Sequence, residues 1–183
     1  KRSMAANPAR TPPEVVCRGL TMTFGKGGAS VAAVAVTVLT LEPGSMTALV
    51  GPSGCGKSTL LRLTAGLETP STGEVQIDGA PPRTIRRRAE LSVAFQDPSL
   101  LPWRTVQSNV ALARRLARLP SDRAKVSDLI ARVGLAGFED GRPAELWGGM
   151  RLRAAIARCI ATDPRLLLLD ERFGAVEELK RRR

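Results

Sequence analysis

Eight consecutive residues, Gly51, Pro52, Ser53, Gly54, Cys55, Gly56, Lys57 and Ser58, fit the pattern G-x-x-x-x-G-K-[ST] in full. The chemistry such spacing allows is phosphate capture. Glycines let successive backbone N–H groups turn inward and form a concave anion nest, and a helix starting at the end of the loop adds the positive end of its dipole. Lys57 is long enough to reach the β- and γ-phosphates of a nucleoside triphosphate, and the Ser58 hydroxyl can ligate Mg²⁺.

A second string, Arg165-Leu-Leu-Leu-Leu-Asp170-Glu171, ends an apolar run in two acids. A strand of this kind delivers a carboxylate to the rim of a sheet, where Asp170 would hold the Mg²⁺ shell and Glu171 would polarise an attacking water. Alone the string is common, because many strands end in acids. Following a phosphate loop, it points to the same reaction.

The elements that must position these groups can be read from patterning. Residues 46–50 form a short apolar run that reads as a buried strand leading into Gly51, and residues 56–65 read as a helix offering Leu60, Leu61 and Leu63 to a core. Before them, residues 1–13 are polar and Pro-containing and read as a disordered lead-in. Short β-like runs follow from 14 to 41, with Val34, Val36 and Val38 alternating as in a strand. Residues 74–77 and 91–95 are strand-like. The character then changes: residues 107–119, 121–133 and 150–160 are helix-like, with Ser121 as an N-cap and Gly134 as a stop. The leucines at 166–169 read as a central parallel strand. The expected plan is a core in two parts, 14–96 and 150–183, interrupted by a helical insertion at 97–149.

Composition narrows the classes. The chain of 183 residues holds no His and no Tyr, so the commonest general base and zinc ligand are absent. A formal net charge of +11 is compatible with nucleic acid, an anionic surface or phosphate-rich ligands. No aromatic residues interleave with the basic clusters at 86–88 and 180–183, so base stacking has no support and no nucleic-acid partner is expected. The three cysteines are widely spaced and form no CxxC pair, which suits a reducing compartment. The longest apolar stretch, residues 31–41, is too short to span a bilayer.

Two further motifs specify the family. Gln96 opens Gln-Asp-Pro-Ser-Leu-Leu-Pro-Trp103, and Leu146-Trp147-Gly148-Gly149-Met150-Arg151 precedes the helical run that leads to the leucine strand. In this order the sequence resembles the ATPase subunit of ABC transporters, over residues 15–179. The strings Gly51-Pro-Ser-Gly-Cys-Gly-Lys-Ser-Thr59 and 96–103 look most like the importer subfamily for nitrate, sulfonate and taurine. The resemblance implies an α/β P-loop NTPase (RecA-like) core with an α-helical insertion and an N-terminal antiparallel β region. It implies ATP and Mg²⁺ as cofactors, with Thr59 completing the phosphate loop. Phe24 would stack on adenine, Gln96 would sense the γ-phosphate and Mg²⁺, and Gly148 and Gly149 would offer N–H groups to ATP held by an opposite subunit. The implied partners are a second ATPase subunit, membrane permease subunits docking near Leu100 and Trp103, and indirectly a solute-binding protein. The implied place is the cytoplasmic face of the membrane.

The sequence departs from the family pattern where the γ-phosphate is handled. Trp147 stands where a Ser is usual, Arg172 follows the acidic pair in place of Pro, Glu177 replaces Asp, and the histidine loop is missing before Arg183. The expectation is therefore ATP capture with poor hydrolysis. Two other readings stay open: a non-hydrolysing, nucleotide-dependent interaction module, and a nucleic-acid-associated ATPase of the same superfamily.

Overall fold

The computed structural model describes residues 11–25 and 30–170. The chain divides into two compact units, Lys1–Arg87 and Arg88–Arg183.

In the first unit, strand β1 (Val15–Phe24) pairs antiparallel with β2 (Val31–Leu41) on one side and with β3 (Thr72–Ile77) on the other, giving the order β2-β1-β3. Alternation selects the buried face: Val15, Cys17 and Leu20 of β1 and Val75 and Ile77 of β3 are buried. The β1–β3 ladder slips between Arg18 and Thr21. Gly73 sits opposite that slip with φ +76°, and a Cβ there would lie 2.3 Å from the Gly19 carbonyl oxygen, so only glycine fits. Helix α1 (Lys57–Thr64) contributes Leu61, Leu63 and Thr64 to the core. It ends at Gly66, φ +64°, whose carbonyl accepts from Arg86 Nη1 at 2.6 Å. Arg86 lies on a short helix α2 (Pro82–Arg87), with Pro82 at its first position.

The second unit holds strands β4 (Leu91–Ala94) and β5 (Leu166–Leu169), parallel and in register from Leu91↔Leu166 to Ala94↔Leu169. The crossover between them carries α3 (Val106–Leu116), α4 (Arg123–Arg132), a 3₁₀ turn (Pro143–Glu145) and α5 (Gly148–Ile160). Val106 and Val110 of α3, Val126, Leu129 and Ile130 of α4, and Ala154 and Ala157 of α5 form one apolar core. Small alanines on α5 permit close packing there.

Several expectations change. Residues 46–50 are not a buried strand: Met46 is exposed, Val50 is 94% exposed, and no ladder among the described residues includes them. An apolar run becomes a buried strand only when neighbours pair with both of its edges. β5 likewise has one neighbour among the described residues, and the alternate leucines Leu167 and Leu169 are exposed rather than central. The N-cap of α4 is Asp122, not Ser121, because the Asp122 carboxylate accepts from Lys125 N at 2.9 Å. Helix α5 starts at Gly148 rather than at Met150. Gly134 does end α4, in the left-handed region at φ +72°. All three cysteines are free, and among the described residues no helix is long and apolar enough to cross a membrane.

Candidate nucleotide-phosphate site

The phosphate loop belongs to the first unit. Gly54 and Gly56 both take positive φ, at 81° and 91°, which lets the backbone fold back on itself before α1. Gly56 has no room for a side chain: a Cβ would lie 2.1 Å from the Ala33 carbonyl oxygen of β2. The loop is thus pressed against the sheet at its helix end, while residues 51–55 are exposed. Lys57 folds back across the loop and donates to the carbonyls of Gly51 at 3.0 Å and Pro52 at 2.8 Å. Its Nζ also lies 3.7 Å from Cys55 Sγ. Gly56 caps α1 without a side-chain bond, and the first turn, Lys57, Ser58 and Thr59, has no acid. A helix start, a folded-back ammonium and no acid in the first turn form a set of donors suited to a phosphate chain. Phe24 ends β1 opposite Val31 and is 45% exposed, so its ring is not spent on the core.

The acidic and glutamine elements belong to the second unit. Gln96 follows β4 and Asp170 follows β5; the parallel register puts both at the carboxyl ends of adjacent strands. The Asp170 N–H donates to Ala94 O at 2.9 Å, and Asp170 is buried. Glu171, Arg172 and Glu177 lie outside the described residues.

The segment after Gln96 is fastened by two residues that sequence reading missed. Arg158 of α5 donates from both ends of its guanidinium, to Ser99 O at 2.8 Å and Pro98 O at 2.7 Å. Burial pulls the Arg158 pKa down from its usual value, with the neighbouring Cys159 acting weakly the other way. Asn109 of α3 is fully buried. Its carbonyl accepts from Leu101 N at 2.8 Å and its amide donates to Leu101 O, Arg104 O and Thr105 O. A signal existed: Asn109 shares the buried face of α3 with Val106 and Val110, and a polar residue there must find partners. Trp103, beyond these fastenings, is 70% exposed and not packed into the core.

At the start of α5, Gly148 and Gly149 occupy the first helical turn, where N–H groups lack intrahelical partners. Trp147 is the N-cap residue, is 82% exposed, and makes no side-chain cap.

The family model described as "ABC transporter" matches residues 35–174. The chain is 49% identical over 162 residues to the methionine import ATP-binding protein MetN of Cereibacter sphaeroides, covering 83% of this chain and 45% of that protein. It is 48% identical over 145 residues to the taurine import ATP-binding protein TauB of Yersinia pestis, covering 78% of this chain and 56% of the relative. The aliphatic sulfonates import ATP-binding protein SsuB of Cupriavidus pinatubonensis is 49% identical over 144 residues, covering 78% of this chain and 46% of the relative. The chain spans about half the length of these relatives. The dimeric ATP-binding cassette MJ0796 bound to ADP and Pi superposes with a TM-score of 0.81 at 30% identity, over 88% of this chain and 75% of that one.

Proposed function

This chain belongs to the ABC transporter family, and from that premise we propose that it is the ATP-binding subunit of an importer, binding MgATP and coupling its hydrolysis to solute uptake. The fold is accordingly that of a P-loop ATPase cassette, and α3 and α4 fall within the insertion expected at 97–149. The observation that carries the proposal is the loop at 51–58. Lys57 is bonded across a backbone that Gly54 and Gly56 turn through the left-handed region, directly before the start of α1.

ATP, when bound, supplies the phosphoanhydride bond that water cleaves to ADP and phosphate. The chain's own groups bind and orient it. Residues 51–59 cradle the phosphates through backbone N–H groups, and Lys57 exchanges its carbonyl partners for phosphate oxygens. Ser58, and in the second unit Gln96 and Asp170, are the groups of the right chemistry for Mg²⁺. Glu171 is the candidate base. Phe24 offers a ring face to adenine.

The partners follow from the same reading. The N–H groups of Gly148 and Gly149 serve the nucleotide of a second copy, and the exposed Trp103 beside Leu100 faces a permease subunit at the cytoplasmic side of the membrane. A solute-binding protein acts indirectly. Relatives named for taurine and aliphatic sulfonates support a sulfonate-type anion as the solute, while an equally similar relative is named for methionine; solute contacts belong to other subunits.

Trp147 sets the expected rate. A short hydroxyl at the N-cap of α5 could donate toward a γ-phosphate; an indole carries its N–H too far from the backbone to replace it, and its bulk stands against closure. The expected outcome is ATP binding with slow turnover. Lys57→Ala should weaken ATP binding by about 2 kcal/mol, the worth of charge-assisted hydrogen bonds, and Trp147→Ser should raise hydrolysis. Brisk hydrolysis by the unaltered chain that Glu171→Gln abolishes would overturn the slow-turnover part. Unchanged ATP affinity in Lys57→Ala would overturn the site itself.

A further inference from the structure

The second unit contains a cavity that no step of ATP chemistry uses. It lies between α3 and α4, has a volume of about 640 Å³, and is lined by Arg104, Arg114, Arg115, Arg118 and Arg123, with Asp122 as its only acid. That volume is in the range of small-molecule sites.

The charges around it are not balanced. Asp122 is already engaged: one oxygen accepts from Lys125 N at 2.9 Å and the other lies 4.0 Å from Arg114 Nη2. The Arg114 side chain is 11% exposed. Its Nη atoms donate to Ala161 O at 3.0 Å and Pro120 O at 3.1 Å, and its buried Nε has no hydrogen-bond partner. The guanidinium groups of Arg104, Arg115, Arg118 and Arg123 make no hydrogen bond or ion pair among the described residues. The plain account of such arginines is favourable interaction with the carboxyl end of a helix. It covers Arg114 and Arg115, in the last turn of α3. It does not cover Arg104, which precedes α3, or Arg123, the first residue of α4, where the helix dipole disfavours a cation. Like charges brought to one cavity repel unless an anion joins them.

We propose that this cavity binds a small oligophosphate through the paired donors of its guanidinium forks. Arginine suits this ligand because its planar fork bonds two oxyanion oxygens at once and stays charged at all physiological pH values. A chain of two or three phosphates can meet several forks together. The ligand can be inorganic or the tail of a nucleotide.

The test separates this cavity from the phosphate loop. Inorganic triphosphate is titrated calorimetrically, at physiological ionic strength, into the chain carrying Lys57→Ala. Binding is expected to persist. Adding Arg115→Gln, Arg118→Gln and Arg123→Gln should weaken it roughly tenfold or more. These residues are exposed, and an unchanged melting temperature confirms that the variant folds. Removing the same charge at Arg83, Arg87 and Arg88, also exposed, should leave affinity within about twofold. Equal weakening by this second triple would mean that net charge alone binds the anion, and would overturn the proposal. So would absence of triphosphate binding. ATP and AMP in parallel distinguish the sources: ATP binding like triphosphate assigns a nucleotide tail, and triphosphate binding alone assigns an inorganic anion. A polyglutamate peptide that binds more tightly than triphosphate, with the same arginine dependence, would replace the small oligophosphate with an acidic peptide and overturn the assignment.

Discussion

Burial holds the thiols of Cys17 and Cys159 above their ordinary pKa, with a Thr64 hydrogen bond opposing the shift at Cys17 and the Arg158 charge opposing it at Cys159. A raised thiol pKa keeps the unreactive protonated form dominant to higher pH, and both side chains are shielded. Cys55 is exposed in the phosphate loop with Lys57 Nζ beside it. Iodoacetamide at pH 7.5 should therefore modify Cys55 first, as read by peptide mass spectrometry, and MgATP should slow that reaction by covering the loop. Modification of Cys17 or Cys159 at the same rate would contradict the packing of both units. At this scale the sequence is most legible where a proposed role is local. The loop at 51–58 is one run of eight consecutive residues, so its spacing is read directly. Arg158 and Asn109 act on residues tens of positions away or through a helix face, and their partners appear only after folding.

Among the elements, α3 shows how a single polar side chain can fix a neighbouring loop. Asn109 satisfies both the N–H and the C=O of Leu101 and the carbonyls of Arg104 and Thr105. Asn109→Ala removes the side-chain partner of Leu101 N and of Arg104 O, while Leu101 O keeps Arg104 N and Thr105 O keeps Asn109 N and Ser108 Oγ. The loss should be about 2–3 kcal/mol, since each net hydrogen bond contributes roughly 1 kcal/mol and the four are not additive. Thermal unfolding gives the magnitude, and faster amide exchange at Leu101 would locate it next to Trp103. Destabilisation without faster exchange at Leu101 would show a general packing defect instead. The same scale explains where patterning misled. Helix periods were read correctly for α3, α4 and α5, because one apolar stripe packs on one core. The starts were displaced because caps depend on which side chain reaches an N–H: Asp122 reached Lys125 N, and Ser121 did not. Residues 46–50 have the composition of a strand but no ladder among the described residues, and composition cannot supply a neighbour.

For the whole molecule, two opposing terms decide whether it stays dispersed. The formal net charge of +11 makes copies repel. Against this, among the described residues β2 is an edge strand whose Val31, Val36 and Val38 are exposed. Such an edge is a template for pairing with another chain. The balance depends on salt, because the Debye length falls from about 30 Å at 0.01 M to about 8 Å at 0.15 M, while apolar contact is not screened. Light scattering should therefore rise with added sodium chloride, from a monodisperse sample at low salt. Val36→Lys with Val38→Lys should suppress the rise, because it places like charges on the same edge. Scattering that falls with salt would mean that attraction between unlike charges drives association. In that case the apolar edge would have no part in it, and the lysine pair would change little beyond net charge.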